Sequence, residues 1–247
     1  MLAALAPGAR PPVSLHRRES HRTVPHLRHG RRYHSGSRFA QAAAASARIG
    51  AREGGGRAVA IALDLVRTLT DEELRTLSEH NPGYQLERSA RGELMVSPTG
   101  AESGRRSAEV LFQLQMWNRR SGSGVVFDSS TGFHLPDGSC LSPDASWIQH
   151  DRWRAVPWEA RLGFAPLCPD VVFEVRSPSD RADKLRGKMV SYLTNGARLG
   201  VLLDPEGRVT EVYRPGRAPE VHTGTGGISL DPELPGLTLD PGPVFED

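Results

Sequence analysis

A glutamate inside an unbroken apolar run is the feature that most limits what this chain can be. Val171-Val172-Phe173-Glu174-Val175 lies between Pro169 and Arg176, and a short apolar segment bounded in this way reads as a strand buried on both faces. A carboxylate there is costly unless it is paired or bound to a cation. The fold must therefore bring a partner to Glu174. Asp144 follows Ser142-Pro143 at the entry to another expected strand, and Lys188 lies on the helix expected after Glu174. That helix has an apolar stripe of Leu185, Met189, Tyr192 and Leu193, and at about 100° per residue Lys188 falls beside it. Lys184, one turn earlier, is expected further round toward solvent. Two carboxylates and an ammonium suit a hard cation such as magnesium together with a water-activating group. Singly, each has a plainer reading. Asp144 is a turn residue after proline, Glu174 an ion-pair partner of Arg176 or Lys188, and Lys188 a helix lysine laying its stem on apolar surface. Their combination, in this order and on these elements, points to chemistry.

The organised region begins near Ala58. Thr70 and Glu73 have capping-box spacing, which predicts a helix over 71–79. Alternation predicts strands over 84–89 and 93–97, joined by a turn at Arg91-Gly92. Pro98-Thr99-Gly100 leads into a helix over 101–119, with Ser107, Val110, Leu111, Leu114 and Trp117 on one face. Strands are expected over 125–128, 132–135 and 142–148, the last two separated by Pro136-Asp137-Gly138. Residues 150–168 read as irregular helix. Ser179 or Asp180 is expected to cap a helix ending near Asn195, with Gly196 as its stop. Strands over 199–203 and 209–213 follow, and the turn-rich remainder holds one or two edge strands. The order implies an α/β fold with a mixed sheet and helices packed on it.

Charge divides the 247 residues unevenly. Residues 1–57 contain eleven Arg, two Glu and neither Lys nor Asp, a net +9, whereas the whole chain is +2 and residues 58–247 therefore −7. The first segment reads as a disordered basic tail ahead of a single domain over 58–247. It fits a transit peptide, a nucleic-acid-binding arm, or an over-extended reading frame with the natural start near Val59; the last is favoured. Any nucleic-acid contact by the acidic body must rest on a local basic patch. Five of the nine histidines, His16, His21, His26, His29 and His34, are scattered in the tail without ligand spacing. Cys140 and Cys168 match no metal-ligand spacing and read as reduced thiols of a cytoplasmic protein. No apolar run approaches a membrane span.

Several segments carry a resemblance to a known family: Asn81-Pro82-Gly83-Tyr84, Glu87-Arg88, Gly92-Glu93-Leu94, Ser97-Pro98-Thr99-Gly100, Ser142-Pro143-Asp144-Ala145, Glu174 through Asp180, Lys188-Met189, Asn195-Gly196 and Val212-Tyr213-Arg214-Pro215-Gly216. In this order they resemble the Uma-two family of restriction-endonuclease-like proteins, over about residues 59–245. The resemblance implies the PD-(D/E)XK nuclease fold, a central mixed β-sheet of about four strands flanked by helices. Pro143-Asp144 matches its PD element and Glu174 its second acid. Arg176 stands where that motif has lysine, so Lys188 takes the lysine role. Arg176, which holds its proton, becomes a phosphate clamp, and Glu102 corresponds to an auxiliary acid. The implied activity is Mg2+-dependent (or Mn2+-dependent) endonucleolytic hydrolysis of DNA, with Asp144, Glu174 and the Val175 carbonyl holding the metal. A homodimer is the form expected for cutting duplex DNA. The rival reading is a catalytically weak or inactive nucleic-acid-binding protein associated with mobile elements.

Overall fold

The computed structural model describes residues 60–246. The expectations for the basic tail and for a start at Val59 lie outside the described residues.

Two sheets organise the structure. The larger has six strands in the order β11-β10-β9-β8-β7-β4, built from β4 (Gly124–Asp128), β7 (Ala145–Gln149), β8 (Val171–Val175), β9 (Leu199–Asp204), β10 (Val209–Tyr213) and β11 (Glu220–Thr223). Only β8 and β9 run parallel, joined by a crossover helix α4 (Ala182–Thr194), and every other pairing in this sheet is antiparallel. The smaller sheet is antiparallel: β1 (Ile61–Leu63), β3 (Leu94–Pro98), β2 (Tyr84–Arg88), β6 (Cys140–Leu141) and β5 (Phe133–His134), in that order. Helix α1 (Asp71–His80) packs on it, and the long α2 (Ala101–Ser121) packs on the larger sheet. Short helices α3 (His150–Ala155) and α5 (Gly242–Phe245), a 3-10 turn (Glu159–Leu162) and the hairpin β12 (Ile228–Ser229) with β13 (Thr238–Leu239) complete the described chain.

The two-residue strand period decides what Glu174 meets. Val171, Phe173 and Val175 join the core under α2, beside Val110, Leu114 and Trp117. Val172 faces the other way, into the core formed with Met189 and Tyr192 of α4. Glu174 shares that second face and so points at α4. In β2 the same alternation sends Leu86 into the cluster with Leu74 of α1, leaving Gln85 and Glu87 on the opposite side.

The capping box of α1 forms as expected, with Thr70 accepting from the Glu73 amide and Glu73 returning to the Thr70 amide. Gly196 adopts φ +107°, a backbone conformation that side-chain-bearing residues rarely adopt, just beyond α4. Three expectations need correction. The larger sheet has six strands, because β4, β7, β10 and β11 extend it antiparallel beyond the buried pair β8 and β9. The strand expected from 142 starts at Ala145: Pro143 has no N–H to offer a ladder, and the Ser142 amide goes to the Glu87 carboxylate at 2.5 Å. Neither Ser179 nor Asp180 caps α4, whose cap position is Arg181 without a side-chain bond. Asp180 accepts instead from the amide and hydroxyl of Ser177, at 2.9 and 2.6 Å.

Candidate active site

Where the two sheets meet, a cleft of about 600 Å³ opens between the exposed face of the smaller sheet, the start of α2 and one face of α4. Glu87, Asp144, Glu174 and Lys188 all line it. Lys188 Nζ lies 2.7 Å from Glu174 Oε1 and 2.8 Å from Glu87 Oε1, and it donates a longer bond to the Ser142 carbonyl at 3.4 Å. Tyr192, one turn further along α4, donates its hydroxyl to Glu174 Oε1 at 3.1 Å. Asp144 accepts from the Val175 amide at 2.7 Å and from the Ser107 hydroxyl of α2 at 3.1 Å.

Two buried carboxylates therefore hold one ammonium with a third, half-buried carboxylate close by, and the electrostatics follow from that imbalance. Burial pushes the Glu174 carboxyl above its ordinary range. Lys188 opposes this, while Asp144 and Glu87 add to it. Asp144 is also raised, by burial first, against the bonds from Val175 and Ser107 and the charge of Lys188. Burial disfavours the Lys188 charge, but Glu174 and Glu87 outweigh it and hold the ammonium protonated well above the usual lysine range. A surplus of buried carboxylate oxygens is the donor set that a hard divalent cation takes.

The structure brings Asp144, Glu174 and Lys188 together. It does not bring in the other two residues singled out. Glu102, at the start of α2, is exposed and pairs with Arg105 and Arg106 at 2.7 and 2.8 Å, and it is not among the residues lining the cleft. Arg176 follows the end of β8, so the strand alternation that would aim it with Glu174 no longer holds. Its guanidinium pairs with Asp204 at 2.8 Å and Glu206 at 3.4 Å and lines a neighbouring depression. Glu87 is the third acid that sequence reasoning missed. Its place in an alternating strand marks it as polar-face, and alternation alone cannot distinguish a face in solvent from a face in a cleft. Helical spacing marks Ser107 and Tyr192 only as helix-face residues and says nothing of the acids they meet. Lys184 is exposed as expected, yet it lines the cleft on the same stripe of α4 as Lys188 and Ser191, just beyond Arg181 at the cap.

A second cluster could be mistaken for a metal centre. Asp71, His134 and Cys140 offer ligand atoms within 4.8 Å of one another. The buried Arg88, however, already places its guanidinium 2.7 Å from Asp71 and 3.7 Å from the Cys140 sulfur. Burial, with Asp71 beside it, pushes the Cys140 thiol up to about 12. This cluster ties α1 to the smaller sheet, and the Arg88 guanidinium holds the place beside its carboxylate and sulfur that a cation would take.

The architecture is that of a restriction-endonuclease-like protein. A solved structure of a putative nuclease from Anabaena variabilis superposes with a TM-score of 0.59 at 20% identity, over 72% of this chain and 97% of the other. The chain belongs to the Uma2 family, described as "Putative restriction endonuclease", whose model matches residues 71–242. No curated protein matches it.

Proposed function

We propose that this protein is a divalent-metal-dependent nuclease that hydrolyses phosphodiester bonds of DNA, with Glu87, Asp144 and Glu174 as metal ligands and Lys188 beside the attacking water. The observation that carries this reading is the pairing of one ammonium with two buried carboxylates, Glu87 and Glu174, beside a third, Asp144, in a cleft open to solvent. Magnesium is the hard cation that such oxygens favour, and manganese is its substitute. When bound, the cation would polarise the scissile phosphate and offset charge on the leaving oxygen. Ser142 N–H orients Glu87, Tyr192 orients Glu174, and Ser107 with Val175 N–H orients Asp144, so each carboxylate is held before substrate arrives. Lys188, kept charged by its two partners, acts as a donor that positions the water and faces the developing negative charge. It is not a proton acceptor in this arrangement. Cutting both strands of a duplex would take two such sites and hence a symmetric dimer.

A binding-only role on the same fold has no use for two buried acids and a half-buried third that repel one another, which argues against the rival reading. Cleavage of plasmid, single-stranded DNA and RNA in Mg2+, Mn2+ and EDTA tests the proposal. Glu174→Ala should abolish cutting, and Lys188→Ala should slow single-turnover cleavage by at least ~10²-fold. Cutting by Glu174→Ala at the wild-type rate would refute the assignment, and cutting of RNA alone would refute the substrate.

A further inference from the structure

Among the described residues, four cations line the cleft: Arg91, Arg181, Lys184 and Lys188. Three are committed. Arg91 pairs with Glu93 at 3.2 Å, Arg181 with Asp183 at 2.9 Å, and Lys188 with Glu87 and Glu174. The Lys184 ammonium forms no hydrogen bond or ion pair among the described residues, and its side chain is exposed. Its charge is felt at Glu93, as the least of the influences on that carboxyl. Lys184 lies one turn before Lys188 on the same face of α4, about 6 Å along the helix axis. The body of the protein is acidic, −7 over residues 58–247, so a polyanion is not drawn to it at large. An ammonium without a bonded partner at the rim of an acid-lined cleft is where backbone phosphate has something to bind.

We infer that Lys184 is a substrate-binding residue: its ammonium holds a nucleic-acid backbone phosphate adjoining the one that is cut. The inference rests on the nuclease reading of the cleft and deepens it. Lysine is a point charge with rotatable donors, suited to a phosphate oxygen and blind to base identity. The contact therefore contributes affinity without sequence preference. Lys184 touches neither the carboxylates nor the expected water position, so its loss should act on binding more than on the chemical step.

The test is binding of a fluorescent DNA duplex and of a single strand across a salt series, with single-turnover cleavage at saturating DNA. The proteins are wild type, Lys184→Ala, Lys184→Arg and Lys184→Glu. One phosphate contact contributes ~0.9 to the slope of log affinity against log salt for duplex DNA and ~0.7 for single strands. Lys184→Ala should lower the slope by about that amount and weaken binding several-fold, with the saturated rate within about twofold of wild type. Lys184→Arg should restore both, and Lys184→Glu should bind more weakly than Lys184→Ala. An exposed side chain without bonded partners should leave the melting temperature unchanged, which excludes misfolding as the cause. If wild type cuts DNA and Lys184→Ala keeps its salt slope and affinity, this inference fails while the nuclease reading stands. If wild type neither binds nor cuts nucleic acid, the reading of the cleft falls and the inference with it.

Discussion

Replacing Glu87 by glutamine separates a metal ligand from a structural anchor. Without metal, Glu87, Asp144 and Glu174 face the single ammonium of Lys188, an excess of two negative charges by formal count. Glu87→Gln keeps the side-chain volume and an oxygen for the Ser142 amide at 2.5 Å, but withdraws one charge from Lys188 at 2.8 Å. Losing one partner of a buried pair ordinarily costs ~3–5 kcal/mol. Lys188 here keeps Glu174 at 2.7 Å, and both Glu174 and Asp144 lose a like charge that raises their pKa values. These effects oppose each other, so metal-free stability should stay within ~1 kcal/mol of wild type. Lys188→Met is the converse, leaving the buried Glu87 and Glu174 without their cation, and should cost the full ~3–5 kcal/mol. Magnesium then discriminates. Ligand stabilisation grows as RT ln(1 + [L]/Kd), and loss of one carboxylate ligand should weaken Mg2+ at least ~10-fold, which removes ~1.4 kcal/mol of stabilisation at saturating metal. Urea denaturation of the three proteins over a Mg2+ series reads both quantities. If Glu87→Gln loses ~3 kcal/mol or more without metal and keeps the wild-type Mg2+ response, Glu87 is an anchor for the Ser142 turn and not a ligand.

Metal-free stability should also depend on pH through Glu174, whose carboxyl is raised from its ordinary 4.5 to about 8. The folded state then binds the extra proton, so the favourable contribution is complete below the unfolded value and is lost as pH rises through the folded one. Stability falls by ~1.4 kcal/mol for each pH step between those two values, so wild type should lose a few kcal/mol relative to Glu174→Gln across that window. A difference that is flat or rises with pH would contradict this reading. Arg88→Ala should cost ~3–5 kcal/mol without altering Mg2+ affinity, because the buried guanidinium serves Asp71, the Leu69 carbonyl and the Gly138 carbonyl at 2.7, 2.6 and 2.8 Å. Denaturation with and without Mg2+ checks both halves. A chain beginning at Val59 should keep the full-length melting temperature, and loss of a cooperative transition would show that residues 1–57 contribute to folding.

The elements themselves were legible because local physics specifies them. The capping box of Thr70 and Glu73 starts α1 within a residue of its expected bounds, and Val171–Val175 announces a doubly buried strand through its unbroken apolarity. That strand also exposes Glu174 as anomalous, and helical spacing alone puts Lys188 beside the buried stripe of α4. Asp144 needed the family pattern, since a proline followed by aspartate is ordinary turn chemistry. Tertiary structure decided the rest. Glu87 reaches Lys188 only because β2 and α4, a hundred residues apart in the chain, face each other across the cleft. Arg176 and Glu102 have the right residue types near the right places, but nearer partners hold them: Asp204 on β9 for one and Arg105 and Arg106 for the other. A sequence determines which side chains share a face of one strand or helix, because period 2 and period 3.6 are local. Which face meets which is set by how the layers pack, and that packing is what turned an isolated buried glutamate into a site.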